Sequence, residues 1–169
     1  MAEERFFAIQ KGGEEMFAVE TIELQYNAKN TEDVLKRLGQ LLYSHNFVKD
    51  TYLKGILERE KVFPTGLPSR GIPIAIPHTD PIHVKKSQIA VMTLENPVSF
   101  SMMGNPEVTL PVQIVFMLAI KDPKQQLQLL KQLMKVFQDE KLLQEILASQ
   151  DKEHLKTLLS QNLFTREAV

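Results

Sequence analysis

Gly71-Ile72-Pro73-Ile74-Ala75-Ile76-Pro77-His78 is the stretch that decides how this chain is read. Its isoleucines recur at period two, the spacing that places side chains on one face of an extended strand. Pro73 and Pro77, with Pro81 just beyond, forbid a helix, because each lacks a backbone N–H and clashes with the preceding turn. The missing donors also count against a central strand, so the expectation is an edge strand, or one with a bulge. His78 follows directly and so stands at the strand's C-terminal end. In sheets flanked by helices, ligands bind at such ends. Pro77 restricts the backbone just before the imidazole, which suits a group that must react in one orientation. The residues alone leave two readings open: a positioned nucleophile, or a histidine that merely ends a strand.

Outward from this stretch, the pattern alternates in kind. Residues 87–94 read as a second strand. Residues 108–120 read as a third, whose nearly continuous apolar run implies burial on both faces. Upstream, residues 16–26 suit a strand or extended lead-in, after a turn at Lys11-Gly12-Gly13-Glu14-Glu15. Asn30 with Asp33 marks a helix start, and Val34, Leu35, Leu38, Leu41 and Leu42 carry the helix over residues 31–44. Asp50 is the expected cap of a second helix, with Tyr52, Leu53, Ile56 and Leu57 inward, ending near Lys61 before Phe63-Pro64-Thr65-Gly66 breaks the pattern. Asp122-Pro123 opens a helix with a stripe of Leu127, Leu130, Leu133, Met134 and Phe137. Asp139 opens another, with Leu142, Leu143, Ile146 and Leu147 inward, and Asp151 caps a last one with Leu155, Leu158 and Leu159. Two helices, then strands, then three helices predict a mixed sheet with helices packed on it, in the α/β or α+β class.

The chain has 169 residues, 43% of them hydrophobic and 24% charged. That length suits one domain over residues 1–169, with 1–15 as a loosely ordered lead-in. The absence of Cys excludes disulfides, thiolate metal sites and cysteine nucleophiles. A net charge of −1 gives no global attraction for nucleic acid or anionic lipid. The longest apolar stretch, residues 110–120, is too short to span a bilayer. Acids at Glu3 and Glu4 do not fit a signal peptide, so a cytoplasmic protein is expected. Phosphate-loop, dinucleotide and serine-elbow motifs are missing.

Among the histidines, His45 and His154 occupy polar helix-end contexts and read as solvated surface residues. His78 and His83 are five residues apart, a spacing that places them on opposite faces of a strand and about 140° apart on a helix. A metal site of His78, Asp80 and His83 therefore needs a loop to assemble it, and no metal or other cofactor is expected.

The His78 stretch strongly resembles the fructose/mannitol-type enzyme IIA family of the bacterial phosphotransferase system. In that family an Ala-x-Pro-His motif carries a transiently phosphorylated His, which falls here on His78. Glu58-Arg59-Glu60 followed by Pro64-Thr65-Gly66, and Leu127-Gln128-Leu129-Leu130-Lys131-Gln132-Leu133, match two further blocks in the right order. The resemblance covers roughly residues 20–160. Arg59-Glu60-Lys61-Val62-Phe63-Pro64-Thr65-Gly66, Ile76-Pro77-His78 with Ile82-His83, and Pro123-Lys124-Gln125-Gln126-Leu127 are similar to the galactitol-specific branch.

The resemblance implies the enzyme IIA type-2 fold and a phosphotransferase activity. His78 would accept a phosphoryl group from the carrier HPr and pass it to a sugar-specific enzyme IIB, and through it serve the membrane component IIC. Many members carry a second active-site His where this chain has Gln126. A Gln donates a hydrogen bond but carries no charge, so Arg59 becomes the candidate for stabilising phosphoryl charge, ahead of His83. Phe63, Ile82 and Met102-Met103 are candidates for an apolar collar around His78, or else for core. The competing readings are a nitrogen-type regulatory IIA, a binding module without chemistry, and the metal protein described above.

Overall fold

The computed structural model describes residues 16–164. The turn expected at residues 11–15 and the lead-in expected at 1–15 lie outside them. The elements run β1 (Ile22–Tyr26), α1 (Thr31–Ser44), α2 (Tyr52–Val62), β2 (Gly66–Leu67), β3 (Ile74–Ala75), β4 (Gln88–Met102), β5 (Asn105–Ala119), α3 (Pro123–Val136), α4 (Glu140–Ala148) and α5 (Lys152–Phe164), with a 3-10 turn at Pro81–His83.

The sheet is mixed, as the α/β pattern implies. β4 and β5 form a long antiparallel hairpin that turns at Gly104 with φ +79°. β1 lies parallel to β4 on its outer side. β3 runs parallel to β5 and antiparallel to β2, and β2 touches the far end of β4 through Gly66 and Met102. Strands β4, β2, β3 and β5 thus pair in a closed circuit. At Gly66 the backbones come so close that a Cβ would stand 2.7 Å from the Ser101 carbonyl oxygen.

β3 is therefore not an edge strand, which corrects the sequence expectation. The strand is only two residues long, and the prolines flank it rather than interrupt it. They supply acceptors alone: Pro73 O takes the Gln113 N–H at 3.0 Å and Pro77 O takes the Leu118 N–H at 3.0 Å.

Period-two alternation in β4 and β5 divides the core between two faces. Ile89, Val91, Ile114, Phe116 and Leu118 point to the side covered by α3, α4 and α5. Ala90, Met92, Val115, Met117 and Ala119 point to the side covered by α1 and α2. The double burial expected for the run ending at Ile120 is observed from Ile114 onward.

Asn30, Asp122 and Asp139 cap their helices through side-chain bonds to Asp33 N (2.8 Å), Lys124 N (3.0 Å) and Leu142 N (3.1 Å). Asp50 does not cap α2. Thr51 holds the cap position without a side-chain bond, and a backbone turn from Tyr52 N to Lys49 O (3.1 Å) closes the start instead. In α3 the inward face is Leu129, Leu133 and Val136, while Leu127 and Met134 of the expected stripe are exposed. At about 100° per residue the leucines spread over about 160° of this helix, wider than the face that is buried, so packing rather than pattern selects the buried side. Among the described residues no helix is long and apolar enough to cross a membrane.

Candidate functional site

His78 sits where β3 has just ended, bridged in parallel to Leu118 near the end of β5. Its Nδ1 lies 2.7 Å from the Ile76 carbonyl oxygen. A carbonyl only accepts, so Nδ1 carries the proton and Nε2 is left with its lone pair. Among the described residues Nε2 has no hydrogen-bond partner. The ring is half-buried. Burial pulls its pKa below the ordinary value of 6.5, opposed by the bond to Ile76; nearby Arg59 lowers it further and Asp80 raises it. The balance favours the neutral imidazole.

The backbone on both sides of the ring is fixed. Ile76 N donates to Thr65 O at 3.3 Å, and Pro77 O is bound by Leu118 N. Leu118 is held in turn by the buried Tyr52 hydroxyl, which donates to its carbonyl at 2.7 Å. Burial without a charged partner raises the Tyr52 pKa, so this hydroxyl stays a donor.

Arg59 comes from the last turn of α2. Its Nη1 stands 3.8 Å from Asp80 Oδ1, and its guanidinium carbon lies 5.3 Å from the centroid of the Phe63 ring. The Arg59 Nε is buried without a hydrogen-bond partner. The ion pair is long and Asp80 is largely exposed, so the guanidinium keeps donors in reserve for an anion.

The other candidates are placed as follows. His83 turns its Nδ1 to Thr51 Oγ1 at 2.7 Å. A Cβ on Gly55 would meet Thr79 Oγ1 at 3.0 Å and His83 Nε2 at 3.3 Å, so this glycine lets the segment after His78 lie against α2. Among the described residues no three His, Asp or Glu side chains gather to hold a metal. His78, Asp80 and His83 are thus not gathered into such a group. Gln126, in the first turn of α3, has its Oε1 buried without a partner. Phe63 and Ile82 are 61% and 69% exposed, and Met103 is exposed at the hairpin tip, so the core reading fails for these three, while Met102 is half-buried; Leu127, expected on the inward stripe of α3, is 58% exposed. His45 and His154 are exposed.

Sequence reasoning met Glu60 and Thr65 inside a family block but gave neither a role. The Glu60 carboxylate accepts from Thr65 N at 2.8 Å and from Thr65 Oγ1 at 2.9 Å. Burial pushes the Glu60 pKa up to about 7, against the lowering effect of both Thr65 bonds. The signal was present in the spacing, since Thr65 lies five residues beyond Glu60 across a Pro64 break.

Residues 15–162 match the family described as phosphoenolpyruvate-dependent sugar phosphotransferase system, EIIA 2. The galactitol-specific EIIA component of Escherichia coli K12 is 34% identical over 99 residues, an alignment spanning 59% of this chain and 65% of that protein. The crystal structure of a PTS IIA (PtxA) from Streptococcus mutans superposes with a TM-score of 0.73 at 18% identity, covering 95% of this chain and 97% of that one. The complex of enzyme IIA mannitol with phosphorylated enzyme IIB mannitol from E. coli gives 0.68 at 22% identity, covering 85% of this chain and 98% of that one. These structural likenesses establish the α/β fold of the IIA type-2 domains.

Proposed function

The chain belongs to the EIIA 2 family of the phosphoenolpyruvate-dependent sugar phosphotransferase system, and from that premise we propose that it is a phosphocarrier working through His78. The observation that carries the reading is the Nδ1–Ile76 contact, which fixes the tautomer and leaves Nε2 as the nucleophile. The donor is the phosphohistidine of HPr and the acceptor is a sugar-specific IIB. The branch is the galactitol type, on the 34% identity to that component.

In the first transfer the Nε2 lone pair forms a bond to phosphorus. The donor's P–N bond breaks, and its electron pair stays on the donor imidazole. The Nδ1 proton remains on His78, so the phosphorylated ring carries positive charge next to the Ile76 carbonyl. That charge makes the ring a good leaving group in the second transfer, when the P–N pair returns to Nε2 and the phosphoryl group joins the thiolate or imidazole of IIB. Such transfers depend on positioning and charge stabilisation. Arg59 supplies the charge, its guanidinium being held only by a long ion pair to Asp80. Rotation of the Gln126 amide by half a turn presents its NH2 as a neutral donor in place of the family's second His.

Both partners must reach His78 in turn, so the docking surface is small and transient, below about 1,200 Å² in total. Exposed Phe63, Ile82 and Leu127 supply its apolar contacts. Incubation with phosphorylated HPr, followed by addition of IIB, tests the proposal. An acid-labile, base-stable phosphate on His78 that chases onto IIB is expected. A phosphate that stays on the chain when the galactitol-type IIB is added would direct attention to a regulatory partner.

A further inference from the structure

We infer that Glu60 is a positioning residue for His78, tying the end of α2, and Arg59 with it, to the strand pair from which the imidazole projects. The inference rests on the phosphocarrier reading of His78 and adds a residue to it. Its basis is an unbroken series of contacts. Both carboxylate oxygens of Glu60 are engaged by Thr65, one by its N–H at 2.8 Å and the other by its hydroxyl at 2.9 Å. Thr65 O receives the Ile76 N–H at 3.3 Å. Ile76 O receives the His78 Nδ1–H at 2.7 Å. Thr65 is buried at the entrance to β2, which pairs with β3.

A two-point clamp fixes orientation as well as distance, because rotation of either partner breaks one of the bonds. Glu60 follows Arg59 directly in the last turn of α2. The clamp therefore sets two relations at once: the carbonyl that orients the imidazole, and the helix end that aims the guanidinium. Phosphoryl transfer is sensitive to both, and a displacement of about 1 Å costs about 100-fold in rate.

The clamp also borders a cleft of about 330 Å³. The charged groups facing Glu60 there are Glu32 from α1 and Lys61 from α2, while β4 and β5 contribute only the hydroxyls of Ser99, Ser101 and Thr109. Burial in this setting leaves the carboxyl with a pKa of about 7, so both protonation states are populated near neutrality. The charged form holds Thr65 by charge-assisted bonds, about twice as strong as neutral ones.

The test compares Glu60→Ala with Glu60→Gln in the full chain. Gln keeps an oxygen for Thr65 N and turns its amide to the hydroxyl, so it preserves the clamp without an ionisation. Long-range proton–nitrogen spectra of the unphosphorylated protein report the His78 tautomer. Transfer from phospho-HPr reports kcat and KM. Glu60→Ala is expected to give a mixed His78 tautomer and a kcat lower by about 10- to 100-fold, with KM within about twofold of wild type. Glu60→Gln is expected to keep the Nδ1–H tautomer and most of the rate, with a pH profile flatter near 7. If Glu60→Ala does not fold, Thr65→Val carries the test, since it removes one clamp bond at nearly constant volume. A folded Ala variant with wild-type tautomer and rate would overturn the inference, as would a folded Gln variant as impaired as Ala. Should the wild-type chain accept no phosphoryl group, the phosphocarrier reading fails, while the tautomer comparison still decides the role of Glu60.

Discussion

The Glu60 carboxyl makes a quantitative prediction about stability against pH. In the unfolded chain it titrates near its ordinary value of 4.5, and in the fold its pKa is pushed up to about 7. A raised folded pKa means that the folded state holds the proton more tightly. The associated stability is fully present below pH 4.5 and is lost as pH rises through about 7. At about 1.4 kcal/mol per pH unit across that window, the loss is about 3 kcal/mol, reduced toward 2 by water in the adjoining cleft. His78 acts in the opposite sense. Its lowered pKa gives stability that is present above its unfolded value of 6.5 and lost as pH falls through the folded one. Wild-type stability therefore mixes both, and the difference between wild type and Glu60→Gln isolates Glu60, because His78 titrates in each. Urea unfolding at pH 4.5, 5.5, 6.5 and 7.5 measures that difference at constant ionic strength. Wild type should lose about 2–3 kcal/mol relative to Glu60→Gln between the lowest and highest pH. A difference that stays flat across the series would refute the argument that burial raises the Glu60 pKa in the fold.

Further outcomes follow from the same contacts. Arg59→Ala removes a charge that disfavours the imidazolium, so the acid limb of phosphoryl acceptance should move to higher pH, and the rate should fall by about 100-fold; an unmoved limb in stopped-flow measurements would exclude Arg59 from the site. His83→Gln should accept phosphate within about threefold of wild type, because the His83 ring is engaged by Thr51; loss of transfer in a folded protein would bring His83 into the site. Tyr52→Phe leaves the buried Leu118 carbonyl without its hydroxyl donor, and thermal or urea unfolding should show a loss of about 1–2 kcal/mol.

Much of the fold was legible because it rests on local rules. The Asn30, Asp122 and Asp139 caps and the nearly continuous apolar run of β5 are short-range signals, and each corresponds to a feature of the structure. What escaped was set by partners distant in sequence. The brevity of β3, which lets Pro73 and Pro77 flank an interior strand, depends on its pairing with β2 and β5. β2 itself is two residues inside what reads as a helix-breaking turn. The inward face of α3 was misjudged because its apolar band is wider than the side that packs, so the pattern alone did not say which edge of the band is buried. At the site, the address of His78 was visible in its prolines. The relations that orient it were not: Tyr52 reaches Leu118 across 66 residues, and Arg59 meets Asp80 rather than a neighbouring glutamate.

The most direct test of the central claim is to identify the modified residue after phosphoryl transfer. With phospho-HPr as donor, mass spectrometry of wild type and His78→Ala should show one added phosphate on His78 in the first and none in the second, with the fold of both unchanged by circular dichroism. A phosphate on folded His78→Ala, or a wild-type chain that takes up none from a competent donor, would contradict the account.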